Sequence, residues 1–132
     1  MTCFWDGILN SLNNDEKNKL GLENKNSIYC LIDCLKNLNN KTQNVLWQNR
    51  NLSCNELKEN YEHIRLYNKT SAKNGYLCST CDPFLILLCE ILEKDLSHYY
   101  LGNNISYKNT KKNMGKINYQ SNRGHFWFKN RN

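Results

Sequence analysis

Two residues at opposite ends of the chain have the types needed for thiol chemistry: Cys3 and His125. Cys3 opens the segment Cys3-Phe4-Trp5-Asp6-Gly7-Ile8-Leu9, whose i, i+4 apolar spacing predicts a helix. The unpaired N–H groups and dipole of a helix N-terminus favour the thiolate form of a thiol held there. His125 heads an aromatic run, Gly124-His125-Phe126-Trp127-Phe128, that reads as a strand. A thiol on a helix start and an imidazole on a distant strand form the dyad of thiol acyl transfer. The imidazole takes the thiol proton and later returns it to the leaving amine.

The other cysteines offer a second chemistry. Cys78-Ser79-Thr80-Cys81 is a C-x-x-C pair, and Cys30 and Cys34 lie one helical turn apart. Four thiolates can hold a structural zinc ion, but small core thiols explain Cys30 and Cys34 better. Cys78 and Cys81 lack the strand–CxxC–helix setting of a redox pair. No glycine-rich phosphate loop or paired-carboxylate motif is present, so no cofactor is expected. His63 and His98 read as rim residues. Most tyrosines read as core and rim, some of them placed to grip an extended peptide.

The elements that must position these residues follow from capping and periodicity. Residues 3–12 predict a helix with Thr2 as N-cap, followed by a polar loop from Asn13 to Asn26. Ser27 caps a helix with Ile28, Leu31, Ile32, Leu35 and Leu38 on its inner face. After an apolar cluster at 45–47, the capping box Ser53-Cys54-Asn55-Glu56 starts another helix. Asp82-Pro83 is the strongest start signal: an Asp N-cap with Pro at the first helical position. The helix that follows, apolar from Phe84 to Leu92, should be the buried centre. Beyond it, residues 96–100 with 105–107, and 116–119 with 125–128, read as two strand pairs. The expected fold is α+β, one domain over residues 1–132, with N-terminal helices packed on a small antiparallel sheet from the C-terminal third.

Composition narrows the classes. The 132 residues are 39% hydrophobic and 11% aromatic, enough for a core and too rich for a disordered tail. No apolar run approaches the roughly 20 residues of a membrane span, so no membrane partner is expected. Seven cysteines without a secretory signal point to reduced thiols and an intracellular setting. The 24 asparagines fit an AT-rich genome, such as that of a large DNA virus or a protist, and the setting would then be host cytoplasm or virion. The net charge is +6, and no acid follows Asp95, whereas Lys108, Lys111, Lys112, Lys116, Arg123, Lys129 and Arg131 do. Such a face can contact nucleic acid or an acidic protein, although a solvated rim is the simpler reading and no nucleic-acid-binding signature accompanies it.

Taken in order, these segments resemble the ovarian-tumour (OTU)-like cysteine proteases, including divergent viral members. Cys3 to Leu9 resembles the family's nucleophile segment. Asn74-Gly75-Tyr76 with the 82–92 helix resembles its loop and central helix, residues 96–107 its following strand pair, and His125-Phe126-Trp127 its catalytic histidine with an aromatic neighbour. The resemblance implies a papain-like isopeptidase acting on the Gly-Gly end of ubiquitin or a ubiquitin-like modifier, or on a viral polyprotein. It implies Cys3 as nucleophile, His125 as base, and the Cys3 N–H as an oxyanion donor. The family often has Asn or Asp two residues after the histidine; here Trp127 stands there, and only Met1 and Thr2 precede Cys3, where the family usually has an Asp. Asn118, Asn122 and Asp6 are the candidates for a third member. The two departures also fit another reading, an OTU-type fold kept as a structural or interaction protein.

Overall fold

The computed structural model describes residues 2–132. Five helices precede most of the sheet: α1 (Cys3–Ser11), α2 (Asn14–Leu20), α3 (Ile28–Asn37), α4 (Cys54–Leu66) and α5 (Pro83–Leu92). Six strands follow or intervene: β1 (Val45–Trp47), β2 (Arg50–Asn51), β3 (Asp95–Tyr100), β4 (Asn103–Asn109), β5 (Lys116–Ser121) and β6 (Phe126–Arg131). The fold is α+β, as expected. Among the described residues no helix is long and apolar enough to cross a membrane.

Helix α5 is the hub. Asp82 caps it, accepting from the Phe84 and Leu85 amides at 2.9 and 3.4 Å, and Pro83 fills its first position. Eight of its ten residues are buried, because β1, β3 and β4 touch it on one side and α2, α3 and α4 on the other. That explains a helix that is apolar nearly all round.

The sheet corrects one expectation: it is mixed, not antiparallel. Its order is β2-β1-β4-β3-β5-β6, with β3 and β5 parallel and every other pair antiparallel. The reason is geometric. Leu101 and Gly102, both at positive φ, turn β3 tightly into β4, so β4 ends beside the start of β3. The 110–115 loop is then pinned there, the Asp95 amide donating to the Gly115 carbonyl and the Met114 amide to that of Glu93. A strand that starts beside the start of β3 must run parallel to it. Nor does the sheet come from the C-terminal third alone: the 45–47 cluster forms β1 against β4, and β2 pairs with β1 at the far edge.

The 13–26 segment also differs from expectation. It contains α2, started by a capping box in which Asn13 and Glu16 exchange side-chain-to-backbone hydrogen bonds. Glu16 is only 1% exposed, and its carboxylate meets Arg131 at 2.7 Å and Lys94. Burial pushes the Glu16 carboxyl up, but the bonds from Arg131, Lys94 and the Asn13 amide outweigh it and hold it below its ordinary value. Arg131 is therefore spent on an internal ion pair. Lys129 lies over the Tyr99 ring, and Lys112 approaches Glu93 at 3.9 Å, so the C-terminal cations are not one free face.

Candidate functional site

Cys3 is the first residue of α1 and is partly exposed. The next two residues lock the helix in place. Phe4 packs on Tyr76 and Phe126 with ring centroids 4.6 and 4.8 Å apart, and Trp5 meets Phe84 edge-on at 4.8 Å. Phe126 belongs to β6, and one turn on from Phe4, Gly7 brings α1 closest to that strand. A Cβ at Gly7 would stand 2.8 Å from the Phe126 ring and 3.4 Å from the Trp127 Cα. Thr2 occupies the N-cap position but its side chain does not cap the helix. Its hydroxyl donates to Asp6 Oδ2 at 2.6 Å instead.

His125 sits at the mouth of the β5–β6 hairpin and is exposed. The Asn122 amide donates to the His125 carbonyl at 2.9 Å, and the Gly124 amide donates to Asn122 Oδ1 at 3.0 Å. The imidazole stacks on Trp127, with centroids 5.4 Å apart and planes 22° from parallel.

Cys3 and His125 line two cavities together. The first, about 470 Å³, is walled by Tyr76, Cys78, His98 and Arg123. The second, about 490 Å³, is walled by Asp6, Asn10, Trp127 and Phe128. Of the three candidates for a third member, Asp6 lines the second cavity and Asn122 the first. Asn122 Oδ1 already accepts from Gly124. Asn118 lines neither; it pairs with Asn130 at the far end of the hairpin, its amide nitrogen donating to Asn130 Oδ1 at 2.7 Å.

The first cavity also holds a thiol–imidazole contact that sequence reasoning missed. Cys78 Sγ lies 3.8 Å from His98 Nδ1, and His98 Nε2 lies 2.6 Å from Ser121 Oγ. His98, expected on the rim, is 2% exposed. It belongs to β3, which has strand neighbours on both sides, and the Phe126 ring packs 5.4 Å from it. Alternation along Leu96, Ser97 and His98 could not reveal this, because all three are buried. Burial pushes the Cys78 thiol far above its ordinary value, and pushes the His98 imidazole down to about 4. At neutral pH both are uncharged, which is the wrong state for a nucleophilic ion pair. This pair is a polar floor beneath Cys3 and His125.

The depressed His98 value makes stability depend on pH. The imidazole titrates near 6.5 in an unfolded chain and near 4 in the fold, so between those values the unfolded chain binds the extra proton. Stability should be intact above pH 6.5 and fall as pH drops toward 4, by up to about 3 kcal/mol. Urea midpoints at pH 7 and pH 5 test this. His98→Gln should flatten the difference, and an equal drop in the variant would assign the effect to another group.

The four cysteines considered for zinc do not converge. Cys30 and Cys34 lie on α3, Cys78 and Cys81 in the loop before α5, and among the described residues no group of three or more His, Cys, Asp or Glu is arranged to hold a metal. Burial pushes the Cys34 thiol up, and pushes Cys81 up to about 11, so both stay protonated.

Comparison with protein-family models, with curated proteins and with solved structures finds no match for this chain.

Proposed function

We propose that the protein is a thiol isopeptidase of the OTU-like type, with Cys3 as nucleophile and His125 as general base. The substrate class is the C-terminal Gly-Gly end of ubiquitin or a ubiquitin-like modifier, or an equivalent polyprotein junction. The observation that carries this reading is that residues so far apart in sequence line the same two cavities, one on the first turn of a helix and the other at a hairpin mouth.

In this mechanism His125 takes the thiol proton and Cys3 Sγ attacks the scissile carbonyl carbon. The tetrahedral intermediate collapses, the amine leaves with the proton from His125, and a thioester remains on Cys3. Water, deprotonated by His125, attacks the thioester; the thiol is regenerated and the acid released. The oxyanion needs donors, and a helix N-terminus has N–H groups without intrahelical partners. Because the Thr2 hydroxyl turns to Asp6, no side chain caps those of α1. The missing cap supports an anion-binding role for the first turn.

A ubiquitin bearing a C-terminal electrophile tests the proposal. The expected result is an adduct of one ubiquitin, lost in Cys3→Ala and kept in Cys78→Ala. An adduct lost only in Cys78→Ala would move the nucleophile to the cavity floor. Absence of any adduct, both with ubiquitin and with a short Gly-Gly electrophile, would remove the isopeptidase reading and leave the structural or interaction role.

A further inference from the structure

Cys3 and His125 line both cavities, and the cavities differ in charge. Among the described residues, Arg123 is the one fixed charge lining the first, and no carboxylate lines it. Among the described residues, Asp6 is the one fixed charge lining the second, where Trp127 and Phe128 supply apolar walls. Resting on the Cys3/His125 reading, the two sides of a scissile bond fall one into each cavity. The acyl side stays on sulfur. The amine side departs and, if borne by lysine, leaves as a cation, since its ordinary pKa is about 10.4. A carboxylate attracts that cation, and an aromatic wall accepts the methylene stem behind it. The Asp6 carboxylate is also held in place, since Oδ2 accepts from the Thr2 hydroxyl at 2.6 Å.

We infer that the Asp6–Trp127 cavity is the leaving-group subsite and selects a lysine amine carried on a basic segment, with Asp6 as the specificity-determining residue. Three ubiquitin conjugates test this: isopeptides to a lysine flanked by basic residues or by glutamates, and an aminocoumarin amide. The wild type should prefer the basic over the acidic isopeptide by about fivefold in kcat/KM, the size of one exposed ion pair. Asp6→Asn should bring the ratio near one, and Asp6→Lys should invert it. An equal loss on all three conjugates, with the ratio kept, would make Asp6 an aid to Cys3 and His125 and overturn the assignment.

A second arm does not depend on turnover. In Cys3→Ala protein, a basic lysine-centred peptide should shift the amide signals of Asp6 and Asn10 and the Trp127 indole signal. Asp6→Asn should abolish the shifts. Shifts absent, or confined to residues outside this cavity, would overturn the inference even if the electrophile adduct forms, and shifts without any adduct would fault the catalytic reading alone.

Discussion

Gly7→Ala should slow the reaction of Cys3 with the ubiquitin electrophile by about 10²-fold while moving the unfolding midpoint little. Two effects on stability oppose each other. Alanine favours a helix over glycine by about 1 kcal/mol. Overpacking a filled interface costs about 1–3 kcal/mol. The added Cβ would meet the Phe126 ring at 2.8 Å, and that ring has little room to yield, being buried among Phe4, His98 and Tyr119. The Trp127 Cα, 3.4 Å away, belongs to the backbone of the strand. Helix α1 must therefore move off β6. The net stability change is small because the two effects nearly cancel, but Cys3 shifts relative to His125, and for the proposed dyad proximity is where a displacement of about 1 Å costs most. Adduct rates and urea midpoints for the same variant separate the two. An unchanged rate would mean that the α1–β6 contact does not set the distance between Cys3 and His125.

Asp82→Ala should cost roughly 3–5 kcal/mol, from a lost cap and orphaned buried donors. Asp82 is fully buried. Oδ1 accepts from the Phe84 and Leu85 amides. Oδ2 accepts from the Tyr76 hydroxyl at 2.9 Å and from the Ser79 amide at 3.0 Å. Burial pushes its carboxyl up, and these donated bonds pull it back. One side chain thus starts the central helix and ties down the 76–80 segment that walls the first cavity. Asp82→Asn should fall between alanine and wild type, because an amide keeps one acceptor but turns its NH₂ toward the Ser79 donor. Denaturant midpoints for both variants check the order. An alanine variant within about 1 kcal/mol of wild type would mean that water takes over the orphaned donors.

The parts legible in the sequence were those with local chemistry. Ser53 with Glu56, Ser27, and Asp82 with Pro83 each announced a helix start, and each acts as the cap expected. The Asn13–Glu16 capping box has the same form but was hidden. The seven-residue helix behind it buries only Leu20 among its apolar positions, so periodicity had nothing to report. The parallel pairing of β3 with β5 depends on where the 110–115 loop is pinned, a matter of tertiary hydrogen bonds rather than pattern. For the site, residue type and predicted element singled out Cys3 and His125. The Cys78–His98–Ser121 contact joins a loop to two strands, and no spacing rule connects them. Thr2 failed as a cap because Asp6, one turn on, offers its hydroxyl a carboxylate.

The docking of α1 on β6 also governs when the site can exist. As the chain leaves the ribosome, Cys3 emerges well before His125 and cannot meet it until the β5–β6 hairpin has been made. A chain that stops short of β6 therefore carries the thiol but lacks His125 and the proposed dyad. The entropy of closing so long a loop grows only with the logarithm of its length, so the delay is set by the order of synthesis more than by thermodynamic cost. Contacts so distant in sequence form late in folding, after the local helices and hairpins. Any activity of the proposed dyad would be confined to chains in which the β5–β6 hairpin has formed and met α1.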